Sequence, residues 1–102
     1  MLMIREVMHC KPGKVRPLVE KFIAMSKLLQ KSGKPKMRVL TDMSGERYWT
    51  LVAEMEVPSM KSFEEMMEGM GNGQDAKEFE KIMSGYHELV EQGRREIYKI
   101  EG

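Results

Sequence analysis

The spacing of apolar positions changes several times along the chain, and each change marks a new element. From Leu2 to His9 the residues alternate as a strand does. Leu2, Ile4 and Met8 fall on one side, and Met3, Arg5, Val7 and His9 on the other. Both sides carry apolar groups, so a central strand is expected. Pro12 and Gly13 end it. Val15, Leu18, Val19, Phe22, Met25 and Leu29 then recur at three- and four-residue intervals, which makes one face of a helix running to about Lys31. Pro17 fits if it lies in the first turn, where its missing N–H has no intrahelical partner. Ser32 and Gly33 stop the helix, with Pro35 beyond them.

Alternation returns at Lys36 to Asp42 and again at Arg47 to Val57, with Met43-Ser44-Gly45-Glu46 between them as a hairpin connection. Trp49, Leu51, Ala53, Met55 and Val57 form one apolar face of the third strand, and Tyr48, Thr50, Val52, Glu54 and Glu56 a mixed one. Pro58 and Ser59 open a short helix with Ser59 as N-cap, carrying Phe63, Met66, Met67 and Met70 inward until the Gly69–Gly73 segment breaks it. Asp75 and Glu78 have the form of a capping box for another helix. That helix is expected to turn Phe79, Ile82, Met83, Tyr86, Leu89 and Val90 inward and to end at Gly93, before a last strand from Arg94 to Ile100.

The order is βαββ, a split helical segment, then β. It predicts a single α+β domain over residues 1–102, a ferredoxin-like βαββ(αα)β unit with a four-stranded antiparallel sheet and its helices on one face. Right-handed crossovers put the first and third strands in the middle. The other sheet face is read as Arg5, Val7, His9, Leu40, Tyr48, Thr50, Val52, Ile97 and Lys99. Its apolar members would stand in water in a monomer, and removing them from water is worth about 25 cal/mol per Å². A homodimer, sheet face to sheet face, is therefore expected.

Seventeen basic and sixteen acidic residues leave a net charge of +1, which argues against nucleic acid or an anionic membrane as partner. The start Met1-Leu-Met-Ile4 meets Arg5 and Glu6 before it could serve as a signal-peptide core, and no apolar run is long enough for a membrane helix. The lone Cys10 has no disulfide partner. A cytoplasmic protein is expected.

The element order, with Arg5-Glu-Val-Met-His-Cys-Lys-Pro-Gly-Lys-Val15 leading into a helix that carries Leu18 and Phe22, resembles the dimeric α+β barrel superfamily, in particular its NIPSNAP-like and antibiotic-biosynthesis-monooxygenase-like branches. The resemblance implies a homodimer with pockets between each sheet and its helices. Its members include cofactor-free oxygenases of aromatic substrates, haem-degrading enzymes, small isomerases and dehydratases, and proteins without known activity. In the oxygenases a tryptophan can line the substrate pocket, which brings Trp49 forward.

Candidate chemistry is sparse. His9 and His87 are the only imidazoles, and either could shuttle a proton, although a packed or solvated histidine is the plainer account of both. Twelve methionines, among them Met66 and Met67, suit irregular core space or an adaptable pocket wall. Trp49, Tyr86, Phe63, Met66 and Met67 are the expected ligand wall, with His87 and His9 as candidate catalytic groups. No metal-ligand spacing, catalytic triad or carboxylate pair is present, and the Gly69–Gly73 run lacks the strand and the lysine of a phosphate loop. The expectation is a small apolar or aromatic ligand held between sheet and helices, with no cofactor, in a cofactor-independent monooxygenase or isomerase. A non-catalytic ligand-binding or dimerisation module is the alternative, and haem binding a third.

Overall fold

The computed structural model describes residues 1–73 and 75–102. Four strands, β1 (Leu2–Cys10), β2 (Met37–Thr41), β3 (Thr50–Val57) and β4 (Val90–Lys99), form one antiparallel sheet in the order β2-β3-β1-β4. The first and third strands are central, as the crossover argument requires. Three helices, α1 (Val15–Lys31), α2 (Met60–Asn72) and α3 (Ala76–Met83), pack on one face.

Local chemistry explains most boundaries. Pro17 is the third residue of α1, inside the first turn. At the other end Gly33 adopts φ +74°, its N–H reaches the Gln30 carbonyl, and the Lys34 N–H reaches Leu29 at 2.8 Å. This is the paired 5→2 and 6→1 arrangement that a left-handed glycine permits. Ser59 caps α2 by accepting from the Ser62 N–H at 3.2 Å. Asp75 precedes α3 but makes no capping hydrogen bond; its carboxylate accepts from the Ser32 hydroxyl at the end of α1 instead.

Two helix ends differ from expectation. α2 continues through Gly69 and Gly71 to Asn72, because isolated glycines weaken a helix by only about 1 kcal/mol each. α3 stops at Met83, ten residues before Gly93. Gly85 there takes φ +81°, a 3₁₀ turn covers Tyr86–Glu88, and β4 begins at Val90. Lys21 of α1 donates to the carbonyls of Ser84 at 2.6 Å and Ile82 at 3.3 Å, so a cation closes the carbonyl end of α3.

The core lies between sheet and helices. Ile4, Leu18, Leu51 and Val57 are almost wholly buried, with Phe22, Phe63, Met37 and Met66 around them. The register corrects the expected composition of the other sheet face. Ile97 pairs with Ile4 and Lys99 with Leu2, so both project to the helix side, and β4 contributes Arg94, Glu96 and Tyr98 to the open face. There an ion-pair chain crosses all four strands. Arg38 meets Glu54 at 2.8 Å, Glu54 meets Arg5 at 3.0 Å, Arg5 meets Glu96 at 3.4 Å, and Glu96 meets Arg94 at 2.7 Å.

Candidate ligand-binding site

Between sheet and helices lies an apolar cavity of about 230 Å³. Its floor is the inward row of β1 and β3, with Ile4, Met8, Ala53 and Met55. Its walls are Phe22 and Met25 from α1, Phe63, Met66, Met67 and Met70 from α2, Phe79 and Met83 from α3, and Tyr86 from the 3₁₀ turn. Helical spacing on α2 and strand alternation on β1 converge on one volume. Eight methionines are among the described residues that line it, Met8, Met25, Met37, Met55, Met66, Met67, Met70 and Met83. Unbranched thioethers adapt to a ligand's outline with little strain.

Among the described residues, two charged ones reach this cavity, Glu6 and Arg95. They stand directly opposite one another across the β1–β4 pairing. Arg95 Nε donates to Glu6 Oε1, and the Arg95 guanidinium carbon sits 5.0 Å from the centre of the Phe63 ring. Neither was singled out from the sequence, although alternation places Glu6 between Ile4 and Met8 on the helix-facing side of β1. A charged residue inside an otherwise apolar row was the available signal.

Four of the expected wall residues, Phe63, Met66, Met67 and Tyr86, meet in this cavity. Trp49 lies outside it. The residue sits before the start of β3 with φ +60°, a conformation uncommon for a bulky side chain, and this takes the indole out of the strand's alternation. It rests instead near Val15, Thr41 and Tyr48, 44% exposed.

Neither histidine faces the cavity. His9 follows Met8 on β1, so strand alternation sends it to the open sheet face. There it is buried, with Nδ1 3.2 Å from the Thr50 hydroxyl and Nε2 3.2 Å from Arg94 Nη1. Burial first, and then the guanidinium charges of Arg47 and Arg94, hold its pKa below the usual histidine value. His87 is exposed on the 3₁₀ turn, its ring 4.0 Å from that of Tyr86. The turn at Gly85 breaks the helical phase that would have set it at the margin of the apolar stripe. Cys10 is buried, and burial followed by the Asp42 charge pushes its thiol up.

A wider opening of about 430 Å³ lies between the end of α1 and the α2–α3 pair, and shares Met25, Leu29, Met66, Met70 and Phe79 with the apolar cavity. The two compartments are neighbours across those five side chains. Among the described residues, no group of three or more His, Cys, Asp or Glu side chains could hold a metal ion. No helix among them is long and apolar enough to cross a membrane.

A four-stranded antiparallel sheet in this order, covered on one face by helices that enclose an apolar chamber, defines the ferredoxin-like α+β class. Solved structures place it more closely. The chain superposes on an uncharacterised NIPSNAP domain protein from Burkholderia xenovorans with a TM-score of 0.79, at 13% identity over 99% of this chain and 95% of that one. A NIPSNAP family protein from Agrobacterium tumefaciens gives 0.68 at 15% identity, covering 97% and 92%. An antibiotic biosynthesis monooxygenase gives 0.72 at 10% identity, with each chain covered in full. The fold is thus that of the NIPSNAP-like and antibiotic-biosynthesis-monooxygenase-like proteins. No family model matches the sequence, and no curated protein matches it.

Proposed function

We propose that the protein binds a small, largely apolar or aromatic molecule between its sheet and its helices, as a homodimer paired sheet face to sheet face. The observation that carries this reading is the apolar cavity of about 230 Å³ bounded by Phe63, Met66, Met67 and Tyr86. A concave, mostly apolar site with few polar groups is the usual form of a small-molecule pocket. Pairing of the open faces is supported by Leu40, opposite Val52, and by Tyr98, opposite Met3, both exposed on that face. Two carboxylates of that face, Glu54 and Glu96, hold guanidinium partners, which lowers the cost of covering them.

A cofactor-independent monooxygenase or isomerase is the reaction class proposed. Among the described residues, Glu6 and Tyr86 are the cavity-lining groups able to accept or give a proton. His9 and His87, outside the cavity, have no part in this reading. A non-catalytic binding module shares the same pocket and differs only in lacking turnover.

Native mass spectrometry of the purified protein tests the proposal. A dimer carrying an additional small mass supports it and gives the ligand's mass. A monomer contradicts the pairing, and a protein to which no planar apolar compound can be added by titration contradicts the pocket.

A further inference from the structure

We infer that the Glu6–Arg95 pair reads the head group of the bound molecule, and that the ligand is a planar apolar body with a neutral head bearing a hydrogen-bond donor beside an acceptor, such as a carboxamide. This rests on the binding role proposed for the cavity and adds the chemistry of its polar end.

Glu6 and Arg95 are directly opposed on neighbouring strands, so their separation is set by the β1–β4 register rather than by flexible loops. Both line the apolar cavity, and both are partly shielded, with side chains 25% and 43% exposed. Arg95 is further fixed by its position over the Phe63 ring. The site therefore presents a guanidinium donor and a carboxylate acceptor side by side at the edge of an apolar chamber, with a combined charge of zero.

Such an edge discriminates by charge. A carboxylate ligand would gain Arg95 but face Glu6, and an ammonium ligand would gain Glu6 but face Arg95. A neutral head with one donor and one acceptor satisfies both groups without separating the ion pair. A bare hydrocarbon leaves both unused, which costs affinity through the desolvated polar groups it covers. Planarity follows from the position of Phe63 and Tyr86, whose rings bound the same volume.

The test is calorimetric titration of the intact protein with naphthalene, 2-naphthamide and 2-naphthoate, three probes that share a body and differ in head. The amide should bind about tenfold more tightly than naphthalene, and more tightly than the naphthoate. In Glu6→Gln the pair loses its negative charge, so the naphthoate should overtake the amide. In Arg95→Met the advantage of the amide over naphthalene should shrink, since only the Glu6 acceptor remains to meet its head. Equal binding of amide and naphthalene by the wild-type protein would overturn the head-group role and leave the pocket standing, as would tighter binding of naphthoate. Failure of all three probes to bind would remove the pocket and this inference together.

Discussion

Gly93 on β4 lies directly across from Met8 on β1, and the absence of a side chain on Gly93 leaves the room that the Met8 sulfur occupies. A Cβ built on Gly93 would stand 2.8 Å from that sulfur and 3.7 Å from the Val7 carbonyl oxygen. Met8 lines the apolar cavity, so the size of this one residue on the edge strand helps set the volume available to a ligand.

Gly93→Ala should therefore act on binding more than on stability. The Met8 thioether can swing away from the new methyl, and the gain in strand propensity offsets the crowding, so unfolding free energy should stay within about 1 kcal/mol of the wild type. Displacement of Met8 into the cavity should weaken naphthalene binding several-fold. Urea unfolding and calorimetry on the same sample check both statements. Unchanged affinity would mean that Met8 moves outward.

His9 makes stability depend on pH. Its pKa in the folded protein lies below the ordinary 6.5, through burial, then Arg47 and Arg94, opposed by the weaker influence of Glu46 and Glu91. The unfolded chain thus binds a proton that the folded chain resists. The contribution to stability is complete above about pH 6.5 and is lost as pH falls from there toward the folded-state value. Denaturant midpoints at about pH 7.5 and about pH 5 should show this loss in the wild type and a smaller one in His9→Gln. Identical pH dependence in the two proteins would remove His9 as its source.

Cys10 should be silent toward thiol reagents in the folded state. The side chain is 4% exposed and its thiol is held above the usual range, so little thiolate forms and little reagent reaches it. Reaction with Ellman's reagent should be about two orders of magnitude slower for folded than for denatured protein. Comparable rates would place Cys10 at the surface.

Trp49, the single tryptophan, should report on the β2–β3 connection rather than on the cavity. Its emission should be red-shifted and open to acrylamide quenching, given 44% exposure. Saturation with 2-naphthamide should leave quenching unchanged, measured with excitation where the probe does not absorb or with lifetime resolution. Protection of Trp49 by ligand would bring the indole into the binding site. Trp49→Gly should cost less stability than Trp49→Ala, since both give up the same indole contacts and only glycine adopts φ +60° freely; urea unfolding of the two variants checks this.

Much of this protein is written locally. Alternation from Leu2 to His9, the three- and four-residue spacing from Val15 to Leu29, the Ser32-Gly33 stop and the Ser59 cap each involve residues within a few positions of one another. The order of elements then limits the sheet to one arrangement through the handedness of its crossovers. The same local rules brought Phe63, Met66, Met67 and Tyr86 together as expected wall residues. They failed where a single backbone angle outweighed the pattern. Gly85 ends a helix whose apolar spacing continues past it, and Trp49 leaves a strand whose alternation includes it.

What the sequence by itself determined is the set of elements, their order and the faces of the central strands, because those depend on short-range periodicity. Only the tertiary structure decided the register of β4 against β1, and with it the pairing of Glu6 with Arg95, the position of Ile97 on the helix side and the ion-pair chain across the open face. A shift of one residue in an edge strand reverses every side chain it carries. Nothing local in Val90–Lys99 fixes that choice, since polar and charged residues occupy both of its faces. It is made by partners some ninety positions away along the chain.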